Sequence, residues 1–328
     1  MNSSPLVGIV TVTYNSGAVI RDFMDCALKQ RQAEFILYVI DNASSDNTLK
    51  VVSEYSDPRV VVVRNPVNEG VAEGNNIGIR AALKDGCASV LLVNNDTVFE
   101  PDLVNKLMEG MRRHACDMVV PKILFFDEPQ RIWCAGGYFS TWRGSARHFG
   151  TGKKDDGRCD QPRAVHYSPT CCMLIAREVF GRVGLMDANY FVYFDDTDFS
   201  MRASRAGVRL FYIPTARLLH KVSSLTGGES DFTYRYSTRN HIYYLLKNFP
   251  RWYGVYYFPA LQIHIFAKYL LLRRRPKSFW VAQKAFWEGV SLFLSATARP
   301  VRTYEPTETG EMSFDPVIKD RSSGSLDL

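Results

Sequence analysis

Phe35-Ile36-Leu37-Tyr38-Val39-Ile40-Asp41-Asn42-Ala43-Ser44-Ser45-Asp46-Asn47 is an apolar run that stops at an acid and a string of small polar residues. A strand covered on both faces reads this way, because neither face meets water. Three further runs of the same kind lie at Val7–Thr13, Val60–Val63 and Val90–Val93. Helical spacing separates them. Val19, Phe23 and Ala27 recur at i, i+4 and i+8, Leu49, Val52 and Tyr55 at i, i+3 and i+6, and Ile77, Ala81 and Ala82 precede Leu83. Beyond the fourth run, Leu103, Leu107 and Met111 follow Pro101, which suits the first turn of a helix. This alternation implies right-handed crossovers and an α/β fold, with a mainly parallel sheet flanked by helices. Ligands of such sheets gather beyond the carboxyl ends of the strands. One rim therefore receives Tyr14-Asn15, Asp41-Asn42 and Asn94–Asp96.

From about residue 120 to 220 the pattern is less regular. Gly136-Gly137 and Thr151–Gln161 read as loops, Cys172–Ala176 as a strand and Arg177–Val183 as a short helix. Asp198–Ala206 reads as a helix stopped by Gly207, and Val208–Ile213 as another strand. Residues 232–297 are aromatic and apolar with scattered basic groups, and read as helices broken near Pro250 and Pro276. Arg299–Leu328 is rich in Ser, Thr, Glu and Pro and reads as a loose tail. The expected organisation is a catalytic unit over 1–230, with halves 1–120 and 121–230, then a helical region over 231–298 and a flexible tail over 299–328.

Composition narrows the class. With 46% hydrophobic and 23% charged residues in 328, the chain can build a sizeable core, which excludes disorder throughout. The net charge of +6 matters less than its placement, because Arg273, Arg274, Arg275 and Lys277 cluster just after Leu272. Such a cluster suits phosphates of lipids, nucleic acid or nucleotides, or is simply a solvated basic surface. No recognisable nucleic-acid-binding module accompanies it. Seven cysteines with no C-x-x-C pair fit neither a zinc site nor a disulfide framework, and read as reduced thiols of a cytoplasmic protein. The N-terminus lacks the basic flank of a secretory leader. Trp252–Leu272 has the length of a membrane span but contains Pro259, Gln262, His264 and Lys268. It reads as part of an interfacial helix pair, with aromatic rings at headgroup depth and arginines on anionic lipid. A buried or dimer-forming helical region is the competing account.

Four places carry chemistry. Asp41 sits immediately at a strand end, where a carboxylate can accept hydrogen bonds from a base imide or a ribose. Helix capping accounts for Ser44–Asn47 but not for Asp41. Asn94-Asn95-Asp96 follows its strand directly, and its acid suits either a divalent cation bridging two phosphate oxygens or an Asx turn. Tyr190–Asp198 sets Asp195, Asp196 and Asp198 beside five apolar or aromatic residues. Adjacent acids repel, so at least one pKa should rise, and a carboxylate against an aromatic wall is a candidate general base. The same acids also suit a helix N-terminus, a task fitting Asp198, with Asp195 or Asp196 left for chemistry. His220 follows a strand-like run, and its imidazole could complete a metal site with Asp96 or serve the core.

Taken in order, these segments resemble the GT-A fold glycosyltransferases of family 2, in the subgroup of rhamnosyltransferases and galactofuranosyltransferases of bacterial surface polysaccharides. The matching motifs are Thr13-Tyr14-Asn15, Asp41–Asp46, Asn68-Glu69-Gly70, Gly74–Gly78, Asn94–Asp96, Phe191–Asp198, Arg202–Gly207 and Arg239-Asn240. The resemblance covers roughly residues 6–250. It implies a Rossmann-like sheet and an inverting transfer from a nucleoside-diphosphate sugar, rhamnose being preferred, to a glycan or lipid-linked acceptor. It places Thr13, Tyr14, Asn15, Asp41, Asn68, Asn76, Asn95 and Asp96 around the donor. Asp196 would be the base with Asp195 alongside, and Asp96 and His220 would hold a divalent cation, magnesium or manganese. Many relatives carry an acid where this chain has Asn94. The implied setting is cytoplasmic, peripheral on the inner face of the cell membrane, with a homo-oligomer as a further expectation and no nucleic-acid partner. Two other classes compete: a non-catalytic module that recognises nucleotide sugars or glycans, and a sugar nucleotidyltransferase. The first has no need of Asp96, Asp195 and Asp196. The second usually carries a Gly-rich basic loop after the first strand, and Tyr14–Ala18 has neither Lys nor Arg.

Overall fold

A computed structural model describes residues 5–222, 230–271 and 276–296. The first half alternates as the apolar runs require. β1 (Val7–Thr13), α1 (Ile20–Leu28), β2 (Phe35–Asp41), α2 (Thr48–Ser53), β3 (Val60–Arg64), α3 (Gly70–Lys84) and β4 (Ser89–Val93) follow one another. Then come β5 (Thr97–Phe99), α4 (Leu103–Arg113), β6 (Met118–Phe125), β7 (Ile132–Cys134), β8 (Gly137–Ser140), β9 (Ser145–His148) and β10 (Arg163–Val165). β11 (Cys172–Ala176), α5 (Arg177–Val183), α6 (Asp195–Arg205) and β12 (Leu210–His220) complete the α/β part. Three helices follow: α7 (Asp231–Asn248), α8 (Arg251–Leu271) and α9 (Pro276–Ala296).

The main sheet is mixed, in the order β10-β12-β6-β11-β4-β1-β2-β3, with β5 also paired to β12 and β7 to β6. β4, β1, β2 and β3 are parallel, and β11 enters antiparallel between β4 and β6. Alternate residues of β1 serve opposite faces, as a period of two demands. Val7 and Ile9 pack with Ile20, Phe23, Leu103 and Leu107 on one side. Val10 packs with Ile79, Ala82, Phe180 and Phe199 on the other. β3 departs from the expectation of burial on both faces: Val61 and Val62 are 37% and 38% exposed. It is the last strand of the sheet, and its valines reflect strand preference rather than burial.

α3 lies close on β1 because its inner face is bare. A Cβ on Gly78 would fall 2.2 Å from Val10 Cγ1, nearer than any real contact. Gly74 and Gly78, facing Val12 and Val10, therefore fix how near α3 comes to the sheet, while Gly70 makes room for Phe191.

The irregular middle contains more strand than the sequence suggests. β5, β7, β8, β9 and β10 are each three or four residues long, too short for a periodic signal. Gly137, expected in a loop, begins β8, which pairs with β9 as a separate ribbon. The Thr151–Gln161 segment is a loop, anchored by the fully buried Lys122 ammonium on Asp155 at 2.7 Å and on Asp160. β12 runs on to His220 rather than stopping at Ile213, with a register shift between Ile213 and Arg217. The expected tail, 299–328, lies outside the described residues, as do Arg273–Arg275.

Candidate active site

Asp41 ends β2 opposite Thr13, the last residue of β1. Thr13 Oγ1 donates to Asp41 Oδ1 at 2.9 Å, and Ser44 N donates to Oδ2 at 3.0 Å. The acid is thus fixed at the rim by one bond to each oxygen, which leaves acceptor capacity for a ligand. Asn15 has a left-handed backbone, with φ of 50°. Its N–H donates to Ser44 Oγ at 2.9 Å and its Oδ1 accepts from Ser45 N at 2.8 Å, joining the loops after β1 and β2. Asp46 serves the following helix, accepting from Thr48 N at 3.0 Å. Tyr14 is 48% exposed beside this junction, and Asn68 is half-buried, accepting from Gly70 N at 2.9 Å.

The end of β4 is tied to the same place. Asn95 Nδ2 donates to Val12 O at 2.6 Å and to Ser16 Oγ at 3.0 Å. Asn95 thus braces the rim. Asn76, expected near the donor, has a scaffold task instead. Its Nδ2 donates to Met186 O and its Oδ1 accepts from Met186 N, both at 2.9 Å, so both ends of the amide bind α3 to the segment leading to α6.

Asp96 and His220 meet through strand pairing. β12 lies antiparallel to β5 with His220 opposite Thr97, which brings the imidazole beside the preceding acid. His220 Nε2 is 3.3 Å from Asp96 Oδ1, and both side chains are largely buried. His220 Nδ1 is buried with no partner among the described residues, while Trp133 packs edge-on at 4.5 Å. Ligand atoms around an octahedral cation stand about 3 Å apart when each bond is near 2.1 Å, so this pair suits two positions of one ion. The carboxylate suits magnesium or manganese, whereas the softer imidazole favours a transition metal such as manganese over magnesium. Among the described residues no three His, Cys, Asp or Glu side chains form a complete cage. That fits an ion whose other ligands come from substrate and water.

The acids Asp195, Asp196 and Asp198 stand in the first turn of α6. Asp195 is 4% exposed and Asp196 half-buried. Tyr167 Oη donates to Asp196 Oδ2 at 3.1 Å, and Thr197 Oγ1 to Oδ1 at 3.0 Å. Burial and the neighbouring Asp196 charge push Asp195 up to about 8. Burial also raises Asp196, but the Thr197 and Tyr167 hydroxyls oppose the rise. The pair therefore keeps a proton longer than ordinary carboxylates, and Asp196 is the member that ionises first. Asp198 has another task. Burial alone would raise its pKa, yet Arg202 and Lys247, at 2.8 and 2.9 Å, hold it below the usual range. It joins α6 to α7.

Cys171 lies within electrostatic reach of acids from both places. Burial, with the nearby Asp96 and Asp196 carboxylates adding, raises its thiol well above the ordinary range. Both acids act on one sulfur at the start of β11. The site's thiols are thus uncharged fillers rather than nucleophiles.

The turn into α6 is strained. Phe191, Tyr193 and Phe194 take φ of 63°, 64° and 67°, a region costly for residues with a Cβ. What holds it is Arg239-Asn240 of α7. Asn240 Nδ2 donates to the carbonyls of Tyr190, Val192 and Tyr193 at 2.8, 2.6 and 3.0 Å. Arg239 Nη2 donates to Asn189 O and Tyr190 O, both at 2.8 Å. The sequence marked this dipeptide without revealing its task, because its partners are backbone carbonyls almost 50 residues away. Tyr167 carried no signal at all, being a lone tyrosine in an irregular stretch.

The profile of the family described as Glycosyl transferase family 2 matches residues 8–184, more than half of the chain. N-acetylglucosaminyl-diphospho-decaprenol L-rhamnosyltransferase of Mycobacterium tuberculosis is 22% identical over 238 residues, covering 67% of this chain and 78% of that protein. The dTDP-rhamnosyl transferase RfbF of Shigella flexneri is 23% identical over 225 residues, covering 68% and 70%. Among solved structures, GalNAc-T7 with UDP, GalNAc and Mn2+ aligns with a TM-score of 0.62 at 16% identity, over 92% of this chain and 59% of that one. The mannosyltransferase of Pyrobaculum calidifontis, in complex with GDP-Man and Mn2+, aligns with a TM-score of 0.53 at 14% identity, over 91% and 77%. The chain belongs to glycosyl transferase family 2, with the GT-A sheet of those structures, and is a glycosyltransferase.

Two predictions follow from the α6 geometry. Asn240→Ala removes three bonds to the strained turn, so turnover should fall by about tenfold to a hundredfold, the cost of misplacing a reacting group. Nucleotide binding, read by thermal shift, should persist; unchanged turnover would show that the clamp does not position Asp196. The second concerns pH. A base works only when ionised, and the raised pKa of Asp196 keeps it protonated further into the acid range, so kcat/KM should rise with pH through a midpoint above the usual carboxylate value of about 4. Asp195 still holds its proton while Asp196 ionises, so Asp195→Asn should leave that midpoint in place. A wild-type midpoint near 4, or one displaced by the substitution, would contradict this order of ionisation.

Proposed function

We propose that this enzyme is an inverting transferase. It moves a sugar, with rhamnose the first donor to try, from a nucleoside diphosphate to a hydroxyl of a glycan or lipid-linked glycan in surface-polysaccharide assembly. What supports the reading is the Asp96–His220 pair, with Asp96 and Asp196 both within electrostatic reach of the Cys171 thiol and Asp41 at the end of β2 beside Thr13. The relatives named above support the donor and acceptor classes, since two are named as rhamnosyltransferases and one of those names a diphospho-decaprenol-linked sugar.

In this reading Asp41 receives the donor's base or ribose and Asn15 shapes the loop around it, with Thr13, Tyr14 and Asn68 alongside. Asp96 and His220 would hold a divalent cation, which when bound neutralises the diphosphate leaving group. Asp196 takes the proton of the acceptor hydroxyl as its oxygen bonds to the anomeric carbon. The bond from that carbon to the diphosphate oxygen breaks on the opposite face. One displacement inverts the centre, and one base suffices. Tyr167 and Thr197 keep Asp196 oriented and ease its ionisation.

A peripheral seat on the inner face of the cell membrane belongs to the same proposal. No helix among the described residues is long and apolar enough to cross a membrane. Instead α8 and α9 expose Trp252, Ile263, Trp280 and Trp287 to between 66% and 70%. Broad rings and aliphatic side chains of this kind suit headgroup depth. A homo-oligomer joined at this face is the alternative occupant.

Asp196→Asn should lower turnover by about two or more orders of magnitude, the usual contribution of a general base, while nucleotide binding persists. Near-normal turnover would reject Asp196 as the base. For the membrane, flotation with anionic liposomes should carry the full chain upward but not a chain ending near residue 248. Negligible flotation of the full chain would discard the interfacial reading, and a dimer in lipid-free solution would then assign the face to a second copy.

A further inference from the structure

A cavity of about 890 Å³ lies beside the α6 acids, outside every element that forms the donor rim. The turn and ribbon of β8 and β9 supply Arg143 and Arg147, α7 supplies Thr233, Ser237 and His241, and α8 and α9 close the rest. Phe194, two residues before Asp196, lines it and stacks on His241 at 4.9 Å. The ribbon reaches Asp196 as well: His148, next to Arg147, stacks on Tyr167, whose hydroxyl donates to that acid.

Three features define what the cavity would hold. First, its lining contains two guanidinium groups and no Asp or Glu. Neither arginine is in an ion pair among the described residues, unlike Arg202, which pairs with Asp198. Burial lowers the His241 pKa to about 4, so that ring is neutral and adds no charge of its own. Second, polarity changes along the cavity. Its α7 wall carries hydroxyls, whereas Ala260, Leu261, Ile265, Phe279 and Ala282 of α8 and α9 offer only hydrocarbon. Tyr257 to Ile265 spans two turns of α8, about 12 Å at 1.5 Å per residue. Third, none of Asp41, Asp96 or His220 lines it, so it is separate from the donor acids.

An anion joined to a hydrocarbon chain meets all three conditions. A glycan would need hydrogen-bond partners at the far end, and a free anion would leave that end unused. We propose that the cavity binds the prenyl diphosphate stem of a lipid-linked acceptor, with Arg143 and Arg147 on the diphosphate and the first prenyl units between α8 and α9. The sugar carried by the stem then lies toward Phe194 and Asp196. This rests on the transferase reading above and deepens it by assigning the acceptor's lipid a place.

The test uses the full chain and three probes: farnesyl diphosphate, farnesol and inorganic pyrophosphate, with binding followed by calorimetry. Farnesyl diphosphate should bind at least ten times more tightly than either part. The double variant Arg143→Gln/Arg147→Gln should lose about tenfold for farnesyl diphosphate and nothing for farnesol. Ala260→Trp, which fills the hydrocarbon end, should weaken both. Retained nucleoside-diphosphate thermal shifts show that the variants are folded. Equal farnesyl diphosphate binding by wild type and both variants would overturn the proposal, as would pyrophosphate binding as tightly as farnesyl diphosphate. Failure of the wild-type chain to bind nucleoside diphosphate would count against the transferase reading, not against the cavity.

Discussion

Asp195 and Asp196 stand next to each other in a dry corner, and two carboxylates so placed cannot both ionise cheaply. Much of the surrounding structure answers that constraint. Hydroxyls of Tyr167 and Thr197 make Asp196 the easier of the two to ionise. The third acid, Asp198, is removed from the contest by Arg202 and Lys247. The turn that delivers the pair is itself unfavourable, and α7 holds it with five short hydrogen bonds from Arg239 and Asn240. The C-terminal helices are thus a structural condition of the site as well as a candidate lipid face.

The sheet divides the labour. Its parallel half ends in Thr13, Asp41 and Asn95: Thr13 holds Asp41, and Asn95 ties the end of β4 to Val12 and Ser16. The antiparallel insertions do the bringing together. β11 begins at the residue after Cys171, whose thiol feels both Asp96 and Asp196, and β5 on β12 sets His220 against Asp96. Polar groups buried at such a junction are costly unless satisfied, and His220 Nδ1 is one of few left without a partner among the described residues.

The parallel half was legible because its strands are buried on both faces and end in acids, as at Asp41. β3 misled only in its burial, since valine favours a strand whether or not a helix covers it. The middle of the chain was not legible, because three-residue strands such as β5 and β7 have no period to detect. Asp195, Asp196 and Asp198 could be sorted in outline from sequence, but Asp198's true partners, Lys247 and Asn248, lie about 50 residues on. Asn76 shows the opposite failure. Its motif pointed to the donor, while its amide bonds to Met186 and Glu73. Side chains that bond to distant backbone leave no pattern in the order of residues, which is why Tyr167 and the Asn240 clamp emerged only in three dimensions.

The central claim is that acids from β2, the β4–β5 junction and α6 serve one diphosphate-bearing pocket. A crystal structure of the full chain with a nucleoside diphosphate and Mn2+ tests it most directly. The account predicts anomalous density for manganese within bonding distance of Asp96 and His220, the base or ribose at Asp41, and Asp196 facing the diphosphate across the gap. Manganese or nucleotide bound on a surface away from these residues would contradict it.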